Sequence, residues 1–178
     1  WANGREYEAD CIMFASGFEV TSSLERRWGM EKVEGRGGLS IYDHWRHGPL
    51  TLHGTMTHGF PNQFYIGYIQ GGLNASVTEQ FGKQGEHSAW IIAQALQRGK
   101  TVVEPTAEGM DEYVRRFREL EIDMSAFQAE CTPGYFNNEG EIKADWALFR
   151  GWGPGWADFQ RMLQEWRDAG DMAGMTLS

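Results

Sequence analysis

Cysteine is scarce in this 178-residue chain, which holds only Cys11 and Cys131. Two thiols exclude a disulfide scaffold and a cysteine-only zinc site, and they suit a reducing, cytoplasmic compartment. Basic charge is short as well. Sixteen Lys and Arg stand against 25 Asp and Glu, a formal net charge of −9. Phosphate repels so acidic a domain, so neither nucleic acid nor an anionic membrane is an expected partner. No apolar run approaches the ~20 residues that a membrane span needs. The first residues from Trp1 carry no signal-peptide pattern, and there is no tandem repeat or low-complexity linker.

The standard motifs of site chemistry are missing too. A dinucleotide fingerprint needs GxGxxG between a strand and a helix. Gly35-Arg36-Gly37 begins that pattern, but Ser40 stands where the third glycine belongs, and no GxxxxGK[ST] occurs. His44 and His47 are three apart, His53 and His58 five apart, with no HExxH and no neighbouring cysteine. That spacing does not build a metal site. His87, beside Trp90 and Ile91, reads as a buried structural histidine. Ser16 follows an apolar run, but Phe14-Ala15-Ser16-Gly17-Phe18 is not the GxSxG of a nucleophile elbow. The acidic pairs Asp111/Glu112 and Glu119/Glu121 read as solvated helix faces.

What is present is enough apolar material, 41% of residues, for one domain with at most a small appendage. The 23 glycines point to close approach of a ligand to main chain. Cys11 to Phe14 reads as a buried strand that stops at Ala15-Ser16-Gly17. Thr21 to Met30 reads as a short helix with Leu24 and Trp28 on one face. Pro49 to Met56 alternates weakly, and Gln63 to Tyr68 is aromatic and β-branched, so both read as strands. A glycine-rich loop, Gln70 to Asn74, leads to Ser76-Val77-Thr78-Glu79, the capping-box spacing. The helix it opens runs to about Arg98 and stops at Gly99, with Phe81, Ser88, Ile91, Ile92 and Ala95 inward. A second helix spans about Thr106 to Leu120, with Tyr113, Phe117 and Leu120 inward. Cys131 to Gly140 is irregular. A last helix starts near Pro154 and ends at Gly170, with Trp156, Phe159, Leu163 and Trp166 on its apolar face. The class is α/β, strand-rich first and helical afterwards.

Several strings together resemble one family. Asp10-Cys11-Ile12-Met13-Phe14-Ala15-Ser16-Gly17-Phe18 is similar to the D-x-[IVL]-x-x-A-T-G-F segment of class B flavin-dependent monooxygenases, the Baeyer–Villiger type. Gly48-Pro49-Leu50-Thr51, then Gly59-Phe60-Pro61-Asn62-Gln63-Phe64, resemble the G-P-x-T and G-F-P-N-x-F strings that follow there. Gln84 to Ile92 is similar to Q-x-x-H-x-x-[WY]-[IV]. Two departures stand out: Ser16 replaces the usual Thr, and Cys131 stands where some relatives place a Trp near the nicotinamide. Both GxGxxG motifs and the FxGxxxHxxxW signature of the family are absent, as are its catalytic arginine and aspartate. No catalytic residue is therefore assigned.

The resemblance implies the C-terminal portion of an enzyme that uses FAD, NADPH and O2 to insert oxygen beside a ketone carbonyl. The rival readings are a related N- or S-oxidising flavin monooxygenase and a stand-alone binding or oligomerisation module. The implied fold is a partial Rossmann-like FAD/NAD(P)-binding unit, with a few strands followed by a mostly helical region. Residues 1–100 would complete the FAD-binding domain and residues 101–178 would form a helical extension. Ala15, Ser16, Gly17 and Phe18, with Thr78, Glu79 and Gln80 at the helix start, are the implied cofactor-binding residues. The free N–H groups there are expected around Thr78 and Gln80. Without the pyrophosphate cradle, the chain alone is expected not to hold FAD or NADP, and to self-associate through unpaired edges.

Overall fold

The computed structural model describes residues 3–13, 23–134, 137–141 and 150–178. In chain order these form α1 (Leu24–Trp28), α2 (Ile41–His44), α3 (Val77–Gln97), β1 (Val103–Pro105), α4 (Ala107–Leu120), β2 (Glu121–Asp123), α5 (Ser125–Glu130), β3 (Arg150–Trp152), α6 (Trp156–Ala169) and β4 (Met175–Leu177). β1 pairs antiparallel with β4, Val103 opposite Leu177, and β2 pairs antiparallel with β3, Glu121 opposite Trp152. The class is α/β, mostly helical with few strands. Among the described residues, however, the strands lie after residue 100, not before it.

Two of the expected early strands fail for a physical reason. In Pro49 to Met56 the chain turns back on itself. His53 and Gly54 take φ of 56° and 71°, and Thr55 N–H donates to Leu52 O at 3.1 Å. Positive φ at both central residues is hairpin-turn geometry, so only one isolated bridge forms, Leu52 to Met56. In Gln63 to Tyr68 the backbone groups are satisfied one at a time. Tyr65 N–H donates to Thr55 O, and the Gln84 carboxamide takes both Gly67 O and Gly67 N–H, at 2.8 and 2.9 Å. Cys11 to Met13 is not a strand, and Ile12 and Met13 are 71% and 89% exposed. The rest of that expected strand lies outside the described residues.

The three long helices match their signals. Ser76 caps α3 and Gly99 follows it at φ 66°. Thr106 Oγ1 caps α4 by accepting Gly109 N–H at 3.0 Å, and Gly170 ends α6 in the left-handed conformation. Two inward assignments fail: Ile92 and Leu120 are exposed. The buried stripe of α3 is instead Gln80, Gln84, His87, Ser88, Ile91 and Ala95. Gln80 and Gln84 bond to the backbone of the preceding loops, His87 to His53 and Arg167, and Ile91 and Ala95 pack in an apolar cluster. Pro154 lies ahead of α6, where Gly155 at φ 96° takes the N-cap place.

Among the described residues three apolar clusters make the interior. One joins Leu52 to Tyr113, Phe117, Trp152, Phe159 and Leu163; a second joins Met56 to Ile91, Ala95, Val103 and Met172. The third gathers Ile41, Trp45, Phe60 and Tyr65, with Leu24 and Trp28 of α1 packed against it. Residues 51–57 are buried without interruption, so this hairpin sits where α3, α4 and α6 meet. Burying a large apolar side chain contributes roughly 1.5–3 kcal/mol. The Leu52 and Met56 side chains therefore tie opposite sides of the hairpin into two different clusters.

Candidate functional site

The turn that opens α3 is built by side chains that close on their own backbone. Asn74 Oδ1 accepts Ser76 N–H at 2.8 Å, and Asn74 N–H donates to Gln80 Oε1 at 2.9 Å. Ser76 Oγ accepts Glu79 N–H at 3.4 Å, and Gln80 N–H donates to Ser76 O at 3.0 Å. The expected capping box is thus half formed. Ser76 plays its part, but Asn74, two residues before it, takes the place expected of the Glu79 carboxylate. The short Asn side chain reaches forward two residues without ordering a long one.

Gln80 also departs from expectation. Its N–H is inside the helical ladder and its side chain is 1% exposed. The N–H groups ahead of the first helical bond are those of Val77 and Thr78. Val77, Thr78 and Glu79 are all exposed. Ala15, Ser16, Gly17 and Phe18 lie outside the described residues.

The loop before this turn is fixed from behind. Gln70, buried at φ 37°, accepts Thr51 N–H and Thr51 Oγ–H on its Oε1 at 2.8 and 2.7 Å. Its carbonyl accepts the Tyr113 hydroxyl at 2.5 Å. Gly71 O accepts Trp152 N–H at 3.1 Å. A Cβ on Gly72 would stand 2.9 Å from Phe159 Cβ and 3.0 Å from Trp156 Cε3. The glycine therefore admits α6 and does not form a phosphate cradle. The Val77 and Thr78 N–H groups, which have no acceptor within the helix, would suit an electron-rich edge such as that of a flavin, and the described loops offer no pyrophosphate cradle.

Behind the loop lies a polar chain that the sequence does not announce. His53 Nδ1 is 3.2 Å from His87 Nε2, and His87 Nδ1 is 3.2 Å from Arg167 Nη1. The ring of His53 stands edge-on to Tyr113 and Trp166, with centroids 5.3 and 4.9 Å away. Burial, then the Arg167 charge, pushes His87 down to about 3; burial, His87, Arg116 and Arg167 hold His53 well below the usual histidine value. Both rings are neutral at pH 7. Glu104, also buried, accepts Gly59 N–H and Arg36 Nε–H, each at 2.8 Å, and so joins β1 to two loops. Among the described residues no three His, Cys, Asp or Glu converge on a point that would hold a metal ion. Cys11 and Cys131 are free thiols, and no described helix is long and apolar enough to cross a membrane.

No protein-family model matches the chain. Individual proteins do. It is 39% identical over 178 residues to pentalenolactone D synthase of Streptomyces arenae, covering 99% of this chain and 30% of that protein. It is 36% identical to a Baeyer–Villiger monooxygenase of Stachybotrys chlorohalonatus, covering 99% of this chain and 28% of that one. A solved polycyclic ketone monooxygenase from the thermophilic fungus Thermothelomyces thermophila superposes with a TM-score of 0.70 at 32% identity, over 82% of this chain and 24% of that one. The chain therefore spans about 30% of the length of the curated relatives it matches. Along nearly its whole length the chain is thus similar to a portion of proteins described as Baeyer–Villiger, FAD-binding or ketone monooxygenases.

Proposed function

We propose that this chain is the C-terminal portion of an FAD- and NADPH-dependent monooxygenase that inserts one oxygen atom of O2 beside a ketone carbonyl. The observation that carries the reading is 39% identity sustained across 99% of the chain to pentalenolactone D synthase. FAD, when bound, supplies the electron transfer and oxygen activation that no side chain can perform. This chain's part is to present donors and keep its interior dry. The Val77 and Thr78 N–H groups, with the positive end of α3 behind them, stabilise negative charge on the facing cofactor edge. Glu79 flanks that edge. Ala15, Ser16, Gly17 and Phe18 form the other proposed contact, on the resemblance of their string to A-T-G-F.

In this reading residues 1–100 complete a Rossmann-like FAD-binding domain and residues 101–178 extend it. The packing runs across that division, since Met56 meets Val103 and Met172, and Leu52 meets Tyr113. The chain by itself holds neither FAD nor NADP. It associates with copies of itself through apolar side chains such as Met13, Leu96 and Phe127, which are 89%, 62% and 61% exposed. The parent is a cytoplasmic enzyme with no nucleic-acid or membrane partner.

The test is the full-length protein containing this chain, purified and assayed with NADPH, O2 and a panel of cyclic and polycyclic ketones. The expected result is a bound flavin and one lactone formed per NADPH consumed. A colourless protein overturns the assignment. N- or S-oxides formed in place of lactones move it to a different oxidation class.

A further inference from the structure

The Arg167–His87–His53 chain plays no part in the reading of α3 given above, yet its geometry has a direction. A guanidinium only donates. Arg167 Nη1, 3.2 Å from His87 Nδ1, therefore makes that nitrogen an acceptor. The His87 proton sits on Nε2 and is donated across 3.2 Å to His53 Nδ1. The proton of neutral His53 is then on its own Nε2. The chain runs one way, from α6 through α3 to the hairpin.

Its end point is a residue under strain. His53 has φ 56°, in the left-handed region that few residues other than glycine adopt. Its neighbour Gly54 lies so close to the next loop that a Cβ there would collide with the Ile69 carbonyl oxygen. On the other side of the same hairpin, Thr51 grips the Gln70 carboxamide through two hydrogen bonds. The hairpin thus holds residues 69 and 70 from two directions, and the loop to α3 springs from them.

We propose that His87 and His53 are positioning residues that set loop 70–74, and through it the first turn of α3. Its bearing on catalysis rests on the flavin-facing reading of that turn. Tyr113 from α4 and Arg167 and Trp166 from α6 contact the two rings, and the Arg116 charge on α4 acts on His53. None is acidic. A proton added to either ring turns an acceptor into a donor facing a donor, next to two guanidinium groups, so acid loosens the loop before it opens the β1–β4 pair.

Two measurements on the 178-residue chain test this. Long-range 15N–1H correlation at pH 7 is expected to place the proton on Nε2 in both rings. An Nδ1 proton or an imidazolium at either position overturns the proposal. Amide exchange then compares His87→Leu with His87→Gln, whose carboxamide N–H can still donate to His53. The Thr51 and Trp152 amides, bonded to Gln70 and Gly71, are expected to exchange about tenfold faster in the Leu variant and within about threefold of the parent in the Gln variant. The Val103–Leu177 pairing is expected to change little in either. Equal acceleration at both places, or none at the loop, overturns the proposal.

If His87→Leu does not fold, the same ratio in the unsubstituted chain between pH 7 and pH 5, corrected for intrinsic exchange, decides the matter. In the full-length flavoprotein the Leu variant should slow flavin reduction several-fold, with rescue by Gln. A loosened loop with unchanged reduction would sustain the positioning role and refute the flavin-facing reading of α3.

Discussion

The hairpin at residues 51–57 and the first turn of α3 are both dense in polar groups, and they dispose of them in opposite ways. In the hairpin the side chains of Thr51, His53, Thr55 and Thr57 all bond inside the molecule. Thr51 binds Gln70, His53 binds His87, and Thr57 Oγ–H donates to Leu50 O at 2.5 Å. At α3, Ser76, Asn74 and Gln80 satisfy one another, while the Val77 and Thr78 N–H groups have no acceptor within the helix. The side chains with catalytic reputations, the two histidines, are therefore architecture. In the proposed function the groups that meet the cofactor are plain backbone amides. Residue type alone is a poor guide to a site; what decides is whether a polar atom already has a partner.

The largest expected effect that tests this contrast comes from the hairpin. Gly54→Ala forces a Cβ into the Ile69 carbonyl at φ 71°. It should cost on the order of 3–4 kcal/mol, measured as a fall in the urea midpoint at constant m. A cost below about 1 kcal/mol would mean that the hairpin yields, and the contrast would collapse. Acid gives the next effect. His87 falls to about 3 in the folded state, while an unfolded histidine titrates near 6.5. Between those values the unfolded chain binds more protons, so stability is full above pH 6.5 and declines as pH falls toward 3. The slope from this residue is up to about 1.4 kcal/mol per pH unit, or roughly 3 kcal/mol by pH 4. His53 acts in the same direction. A His87→Gln variant should lose most of that slope. An unchanged slope would show that the relay is not buried and neutral.

A finer contrast lies between two helix caps. Thr106→Ala removes a 3.0 Å bond to Gly109 N–H beneath a packed helix and should cost about 1 kcal/mol. Ser76→Ala removes a 3.4 Å bond at an exposed turn that Asn74 also braces, and should cost about half as much. Thermal melts of the two variants test this ordering. The reverse order would mean that the α3 turn is braced as rigidly as the interior.

These differences also mark how far the sequence can be read. Helices α3, α4 and α6 were legible because capping residues, a 3.6-residue apolar period and terminal glycines are local signals that packing reinforced. The early strands were not. Gln63 to Tyr68 has strand composition, but whether it pairs depends on Gln84, which reaches in from a helix and takes both polar groups of Gly67. The His53–His87–Arg167 chain is equally hidden, because its members are 34 and 80 residues apart. At the candidate site, Ser76 was legible as a cap, while the role of Asn74 and the inward Gln80 were not. An Asn two residues before a capping Ser was the available signal.

The smallest effect on stability is also the sharpest test of α3. Val77 is the first helical residue, and its N–H has no intrahelical partner. Proline is well tolerated at that position because the lost donor was unused by the helix. It also restricts the residue before it to extended conformations, and Ser76 already has φ −89° and ψ 100°. Val77→Pro should therefore change the stability of the chain by no more than about 0.5 kcal/mol. If the first turn is only a well-capped surface helix, nothing else should change. If its outward N–H groups face the electron-rich edge of a flavin, the full-length enzyme should lose one of two donors and reduce its flavin several-fold more slowly. Stopped-flow reduction by NADPH separates the two cases. A rate equal to that of the parent, with the melt unchanged, would return Val77 and Thr78 to the status of ordinary surface amides.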